Sequence, residues 1–357
     1  MKIAIIGTRG IPNRYGGFES LVENLVKRDY KNLMSHVYCS YKNKKEGDEQ
    51  LFTKTKLIYI PFDSNGISSL AYDIISCLHA VLILKSKSLL IFGVSGALIF
   101  PIIKFFNSDI KIIVNVDGIE WRRQKWNKIA SQFLKISELL AVKYSDKVIT
   151  DNLVIQRYVN LIYKKKSYLI EYGGDTTTDA PVATKLEQLP EVFAIKVSRI
   201  EPENNVHIIL SAFINSKANL IIIGNWQSSG YGKKLFNKYK IYHNISLLNP
   251  IYNQKVLNYY RKKSSLYIHG HSAGGTNPSL VEAMWLGLPI IAYDVSFNRA
   301  TTENKALYFK NELDLRNIIN NISDFDLAEY AVKMKEIAAR RYTWEKISQK
   351  YFSLLEK

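Results

Sequence analysis

The sequence predicts an α/β protein of two doubly wound parallel sheets arranged in tandem. Apolar, β-branched runs of strand length alternate with amphipathic helical stretches, and that alternation stops once and restarts. At 357 residues the chain is long enough for about two domains of roughly 150 residues each. With 47% hydrophobic and 23% charged residues it has globular composition, which excludes a disordered or fibrous chain. Two cysteines, Cys39 and Cys77, are too few for a disulfide framework or a four-thiolate zinc site and suit a reducing cytoplasm. The first residues enter a strand directly, without the polar cleavage region of a secretory signal, so a cytoplasmic location is expected.

The first strand is Lys2 to Ile6. A glycine- and arginine-rich loop, residues 7–17, follows it, and Leu21, Val22, Leu25 and Val26 give Phe18 to Arg28 helical spacing. Further strands are expected at His36 to Ser40, Leu57 to Ile60, Leu89 to Phe92, Lys111 to Val116, Lys147 to Thr150 and Lys166 to Ile170, with helices between them, one at Ser131 to Val142. Residues 1–175 form this first domain, and 176–190, a stretch with Thr, Ala and Pro but little periodicity, form a linker. The second domain, 191–325, carries strands at Val192 to Val197, Leu220 to Ile223, Ile245 to Leu247, Leu266 to His269 and Pro289 to Tyr293. Residues 326–357 close the chain as two helices, Asp326 to Arg341 and Trp344 to Leu355, the last expected to cross back to the first domain. Open parallel sheets bind ligands beyond the carboxyl ends of their strands, so chemistry is sought in the loops that follow strands. A cleft between two Rossmann-like domains is the expected site.

Charge is the unusual number: 49 Lys and Arg against 32 Asp and Glu give +17. Both halves are basic, with 26 basic and 16 acidic residues up to Asp175 and 23 and 16 beyond it. Such a balance favours nucleic acid, an anionic membrane surface or a phosphorylated small molecule. Nucleic acid is not expected, because no aromatic and basic RNA-binding signature, zinc-finger spacing or basic heptad region occurs. The uncharged run Leu89 to Ile103 spans 15 residues, short of the about 20 needed to cross a bilayer, and Gly93, Gly96 and Pro101 interrupt it. It reads as a strand, a turn and a helix start, and the apolar run Ile74 to Leu84 as core or as an interfacial surface.

Four loops could carry chemistry. Residues 7–19 follow the first strand and open a helix, a place where backbone amides bind phosphate. Their Gly-x-x-Gly spacing, with no acid in His36 to Tyr41, excludes a dinucleotide fingerprint, and no Walker sequence is present. Residues 115–123 end a strand in Asp117, Glu120, Trp121, Arg122 and Arg123: a proton or hydroxyl acceptor, a stacking face and anion holders, or else a solvated loop of internal ion pairs. Residues 197–205 place Arg199 where its planar fork could grip a diphosphate, or pair with Glu201 or Glu203. In residues 269–289 a small-residue loop turns into a helix near Pro278, with amides that could face a phosphate and Glu282 one turn in, able to accept both hydroxyls of a ribose. His269 and His271 lack a third ligand nearby, so they read as loop or sugar contacts and no metal is expected. Asp324 and Asp326 form the chain's Asp-x-Asp pair, which reads as a helix cap.

The motifs IGTRGIPNRYGGFE (6–19), NVDGIEWRR (115–123), RIEPENN (199–205) and HGHSAGGTNPSLVE (269–282) stand in this order across essentially the whole chain. On them the sequence resembles retaining glycosyltransferases of the GT-B fold, close to glycosyltransferase family 4. More narrowly it resembles bacterial rhamnosyltransferases of capsule and surface-polysaccharide (O-antigen) assembly. The resemblance implies two Rossmann-like domains facing a central cleft and transfer of L-rhamnose from dTDP-rhamnose. The implied acceptor is a lipid-diphosphate-linked oligosaccharide at the inner membrane face, with the enzyme peripheral there, and no cofactor or metal is implied. A GT-B transferase using a UDP- or GDP-sugar and a nucleotide-sugar epimerase are the alternatives.

By position, the resemblance has Gly16 and Gly17 meet the donor phosphates and Arg199 hold the diphosphate. Glu282, the second glutamate of a Glu-x7-Glu pattern, would reach the ribose. Asn204, Gly274, Gly275, Thr276, Asn277 and the amides around Pro278, Ser279 and Leu280 complete the donor site. Asp117 would organise the acceptor or the sugar, and Arg9, Arg14, Tyr15, Glu120, Trp121 and Arg122 would meet the acceptor. The chain departs from the pattern where Gly274 replaces the first glutamate, and where Asn204 and Asn205 stand for a lysine. Both changes remove charged contacts, which is compatible with a 6-deoxy sugar.

Overall fold

A computed structural model describes residues 2–13, 16–28, 34–44, 51–64, 66, 68–123, 126–176, 189–214 and 216–356. The chain divides into two compact units, Met1–Glu171 with Glu345–Lys357, and Tyr172–Trp344. Most of the expected linker, 177–188, lies outside the described residues.

The first unit is built on eight strands: β1 (Lys2–Ile6), β2 (Met34–Ser40), β3 (Leu51–Phe52), β4 (Thr55–Ile60), β5 (Ser88–Phe92), β6 (Lys111–Val116), β7 (Lys147–Thr150) and β8 (Ser167–Leu169). Their order is β3-β4-β2-β1-β5-β6-β7-β8, parallel throughout except for the short edge strand β3. The interior strands are apolar on both faces, as with Ile3, Ile5 and Ile6 or Leu89 to Phe92, because helices cover both sides of a parallel sheet. The order reverses between β1 and β5, so the loops leaving those strands diverge there. Gly7, at φ +93°, lets that turn form: a β-carbon would lie 1.9 Å from the Phe92 carbonyl oxygen.

The run Leu89 to Ile103 resolves into β5, a 3₁₀ turn (Ser95–Ile99) and a helix (Phe100–Phe106) with Pro101 in its first turn. The run Ile74 to Leu84 belongs to a helix, Ser68–Leu78, that continues as a π-helical turn, His79–Ile83. Tyr72, Cys77 and Ala80 on it are buried, whereas Leu82 and Ile83 are exposed. Among the described residues no helix is long and apolar enough to cross a membrane.

The second unit holds β9 (Phe193–Val197), β10 (Asn219–Ile223), β11 (Ile245–Leu248), β12 (Leu266–His269), β13 (Ile290–Tyr293) and β14 (Leu307–Phe309), all parallel, in the order β11-β10-β9-β12-β13-β14. One face packs Ala194, Leu220, Ile222 and Ile268 against Val206, Ile209, Leu210 and Phe213 of the helix Val206–Phe213. Two strands, β3 and β14, are not among those the sequence pattern predicts. They are two and three residues long, too short to show periodicity.

Asp326 caps the helix Leu327–Arg341 by accepting from the Glu329 amide, so Asp326 serves as the helix cap expected of it. The last helix starts at Trp344 in the second unit and lies from Glu345 onward in the first. Its Tyr351 is buried and its hydroxyl accepts from Asn115 Nδ2 of β6 at 2.6 Å. Lys147 Nζ donates to the Leu354 carbonyl, closing the helix end with a cation. Tyr351→Phe is expected to leave the Asn115 amide without its acceptor and to lower stability by about 1–2 kcal/mol, seen as a lower urea midpoint with unchanged secondary structure.

Candidate functional site

In the second unit the sheet reverses order between β9 and β12, and the loops that follow these two strands are the ones singled out in the sequence. They are sewn together by asparagines. Asn204 donates from Nδ2 to the Arg199 carbonyl and accepts at Oδ1 from His271 Nδ1 at 2.9 Å. Asn205, at φ +49°, donates to the Gly270 carbonyl. Gly270 is a glycine because a β-carbon there would lie 2.3 Å from the Asn204 carbonyl oxygen. Asn204 is thus committed to the scaffold at both ends of its amide. His271 likewise serves the loop, and its carbonyl accepts from Asn298. Among the described residues no group of three or more His, Cys, Asp or Glu could hold a metal ion.

Arg199 is half-exposed and lies 3.4 Å from Glu201 and 3.7 Å from Glu203. It is ion-paired, as one of its two readings has it, and its guanidinium is also reachable from solvent. Exposed pairs of this kind are weak, so a diphosphate can recruit the guanidinium from them.

Glu282 sits on the helix Pro278–Trp285, and its Oε2 is 2.5 Å from Nη2 of Arg261, which is 1% exposed. Asn277 caps this helix by accepting from the Ser279 amide and hydroxyl, and the Leu280 amide donates to the Asn277 carbonyl. Pro278 has no amide hydrogen. The expected phosphate cradle of Pro278, Ser279 and Leu280 amides is therefore already filled, and a phosphate would have to displace the Asn277 cap. Gly274, at φ +94°, turns the preceding loop, Thr276 is buried within it, and the Gly275 position is half-buried. The Tyr267 hydroxyl, 2.9 Å from Ser279 Oγ and 3.1 Å from the Val197 carbonyl, ties this helix to β9.

In the first unit the Arg9 amide donates to Glu19 Oε1 at 2.7 Å, and the Asn13 amide donates to Glu23. Gly16 precedes the helix Gly17–Lys27, and a β-carbon on it would meet Glu19 Oε2 at 2.5 Å. The glycine here makes room for a carboxylate of its own helix, and that carboxylate opposes a phosphate at Gly16 and Gly17. Arg14 and Tyr15 lie outside the described residues.

After β6, Arg123 gathers the loop's acids, with Nε 2.8 Å from Glu120 and Nη2 4.0 Å from Asp117. Glu120 also accepts from Trp126 Nε1. Trp121 is oriented by Glu138, a buried carboxylate of the helix Lys128–Tyr144 that also accepts from the Tyr158 and Tyr163 hydroxyls at 2.6 and 2.5 Å. The Arg122 guanidinium stands 5.0 Å from the Trp121 ring and 5.8 Å from the Tyr158 ring. The result is an aromatic and cationic platform, suited to stacking on a sugar or holding an anion.

Two family models match the chain: a domain of unknown function, DUF1972, over residues 1–175, and glycosyl transferases group 1 over residues 183–340. Sucrose-phosphate synthase from Thermosynechococcus elongatus superposes with a TM-score of 0.80 at 15% identity, covering 99% of this chain and 98% of that one. Residues 183–340 thus form a glycosyl transferases group 1 domain, and the chain as a whole has the GT-B fold. HepE from Anabaena, solved in complex with UDP-glucose, has a similar structure, with a TM-score of 0.74 at 16% identity over 100% of this chain and 99% of that one. No curated protein sequence matches the chain.

Sequence reasoning missed the groups that hold the candidate residues in place. Arg261 lies in the basic run Arg261-Lys262-Lys263 at a helix end, and only its position beside Leu257 and Tyr260 on the buried face distinguishes it. Glu138 had a similar signal, between Leu134 and Ala141 on the buried face of its helix. Removing the carboxylate that faces Arg261 leaves a buried charge unpaired, so Glu282→Ala is expected to cost about 3 kcal/mol of stability, measured by denaturant unfolding, with Glu282→Gln milder because its amide oxygen still accepts.

Proposed function

We propose that the protein is a glycosyltransferase that moves L-rhamnose from dTDP-rhamnose, with retention, onto a lipid-diphosphate-linked saccharide in surface-polysaccharide assembly. The observation that carries the nucleotide-sugar part is the placement of Arg199 on the loop after β9 and of Glu282 on the helix after β12, the two strands that flank the second sheet's reversal. Glu282 is held by Arg261 so that a free carboxylate edge is kept for a ribose. Arg199 carries a permanent charge for the diphosphate. The rhamnose assignment rests on the narrower motif resemblance, and a UDP-sugar donor is favoured instead by the UDP-glucose complex of HepE.

In this reading the bond from the sugar's anomeric carbon to the phosphate oxygen breaks as the bond to the acceptor oxygen forms on the same face. The departing phosphate oxygen takes the acceptor's proton, and Arg199 stabilises the charge that develops. Asp117, Glu120, Trp121 and Arg122 receive the acceptor. Asp117 and Glu120 are braced by Arg123 and Trp121 by Glu138.

The membrane side of the proposal is supported by exposed apolar residues of the first unit. Phe105 and Phe106, 83% and 81% exposed, end the helix Phe100–Phe106, which packs beside the helix Lys128–Tyr144 with its exposed Ile129, Ile136 and Leu139. Of the lysines Lys42, Lys44, Lys45, Lys85 and Lys87, the first pairs with Asp63 and the second lies over the Tyr41 and Tyr59 rings. Lys45 lies outside the described residues. Lys85 and Lys87 remain as the electrostatic contribution to peripheral attachment.

Calorimetric titration with dTDP-rhamnose, UDP-glucose, UDP-N-acetylglucosamine and GDP-mannose tests the donor. Preference for dTDP-rhamnose, weakened by at least about tenfold in Arg199→Ala and in Glu282→Gln, is expected. Preference for a UDP-sugar replaces the rhamnose assignment and keeps the rest. For the membrane, co-sedimentation with vesicles of anionic lipid is expected to fall in Phe105→Ser/Phe106→Ser and in Lys85→Gln/Lys87→Gln. Unchanged sedimentation in both removes peripheral attachment from the proposal.

A further inference from the structure

The two oxygens of the Glu282 carboxylate are not equivalent. Oε2 lies 2.5 Å from Nη2 of Arg261, on the helix Gln254–Lys263 that leads into β12. That guanidinium is 1% exposed, its Nη1 donates to Asn258 Oδ1 at 3.3 Å, and its Nε is buried without a hydrogen-bond partner. Among the described residues Glu282 Oε1 has no hydrogen-bond partner, and the side chain is 14% exposed. Tyr267 fixes where the pair stands. Its hydroxyl, whose ionisation both Arg261 and Glu282 influence, is within hydrogen-bond distance of Ser279 Oγ, one turn before Glu282, and of the Val197 carbonyl at the end of β9. Glu282 therefore belongs to the carboxyl ends of β9 and β12, where the second sheet reverses.

The 2′- and 3′-hydroxyls of a ribose stand side by side, and a carboxylate takes both by giving one oxygen to each. Two vicinal hydroxyls match two oxygens better than they match one. Freeing Oε2 for that purpose would strip a buried guanidinium of its counter-ion. The neighbours of Arg261 on the buried face of its helix, Leu257, Asn258 and Tyr260, carry no charge to replace it. Oε1 is the oxygen left to accept a charge-assisted hydrogen bond from a sugar.

We propose that Arg261 sets which nucleoside the site accepts: by holding Glu282 Oε2 it leaves a one-oxygen site that fits the single 3′-hydroxyl of a 2′-deoxyribonucleoside diphosphate. This rests on the nucleotide-sugar reading and deepens it, because it supplies a reason within the site for a dTDP-sugar over a UDP-sugar. Arg261 is a positioning residue, acting on the nucleoside through Glu282. In a ribonucleoside diphosphate the 2′-hydroxyl gives up its water and finds Oε2 already taken, so the extra hydroxyl brings no gain.

The test is calorimetry with UDP, dUDP and dTDP. UDP and dUDP differ only in the 2′-hydroxyl, and dUDP and dTDP only in the base methyl group. The wild-type protein is expected to bind dUDP at least as tightly as UDP. In Arg261→Met, which frees both oxygens of Glu282, the ratio of the two affinities is expected to move toward UDP by on the order of fivefold, while dUDP and dTDP keep their relation. Arg261→Lys keeps a cation on Oε2 and is expected to keep the wild-type ratio. A general loosening of the fold would lower all three affinities together and leave the ratio where it was. A wild-type preference for UDP over dUDP overturns the proposal, as does a ratio that is unchanged in Arg261→Met. If the variants do not fold, the wild-type ratio decides. If the wild-type protein binds none of the three nucleotides, the nucleotide-sugar reading falls and this role with it, whereas tight binding with a preference for UDP leaves that reading standing and removes this role alone.

Discussion

The site in the second unit depends on one constraint: two loops leaving adjacent parallel strands in opposite directions must be held edge to edge. A parallel sheet offers no ladder hydrogen bonds beyond its strand ends, so side chains have to do the joining. Asn204 and Asn205 on one loop reach His271 and Gly270 on the other, and Tyr267 bonds across from β12 to β9. With those bonds made, Arg199 and Glu282 have fixed supports, and the small residues at Gly270 and Gly274 follow from how closely the backbones approach.

Electrostatics in the two units are arranged differently. In the first, Arg123 faces Asp117 and Glu120, and Glu19 occupies the amide-rich turn after β1. In the second, Arg261 is matched by Glu282, whereas Lys196 is buried beside Ile222 and, among the described residues, has no ion pair. The net charge of +17 is therefore not spread evenly in its consequences.

The architecture was legible because buried parallel strands must be continuous β-branched runs, and Lys2 to Ile6, Lys111 to Val116 and Leu266 to His269 show that pattern plainly. The loops were legible because a strand that ends in glycine, arginine and carboxylates is recognisable without neighbours. What the sequence concealed was partnership across distance. Nothing local says that Glu282 faces a guanidinium 21 positions earlier on another helix, or that the Trp121 indole leans on Glu138. Asn204 entered the expected donor site by its position in the motif resemblance, where a lysine would stand. Only the fold shows that both of its amide atoms are already in use.

The first unit is made from two stretches of chain, its last helix arriving after the whole of the second unit has been encoded. On a ribosome, β6 and its neighbours emerge long before residues 345–357 exist. Until then the Asn115 amide waits for Tyr351, and the places taken by Phe352, Leu354 and Leu355 stay uncovered. The second unit meets no such delay and can reach its final packing first, so the order of maturation runs against the order of synthesis.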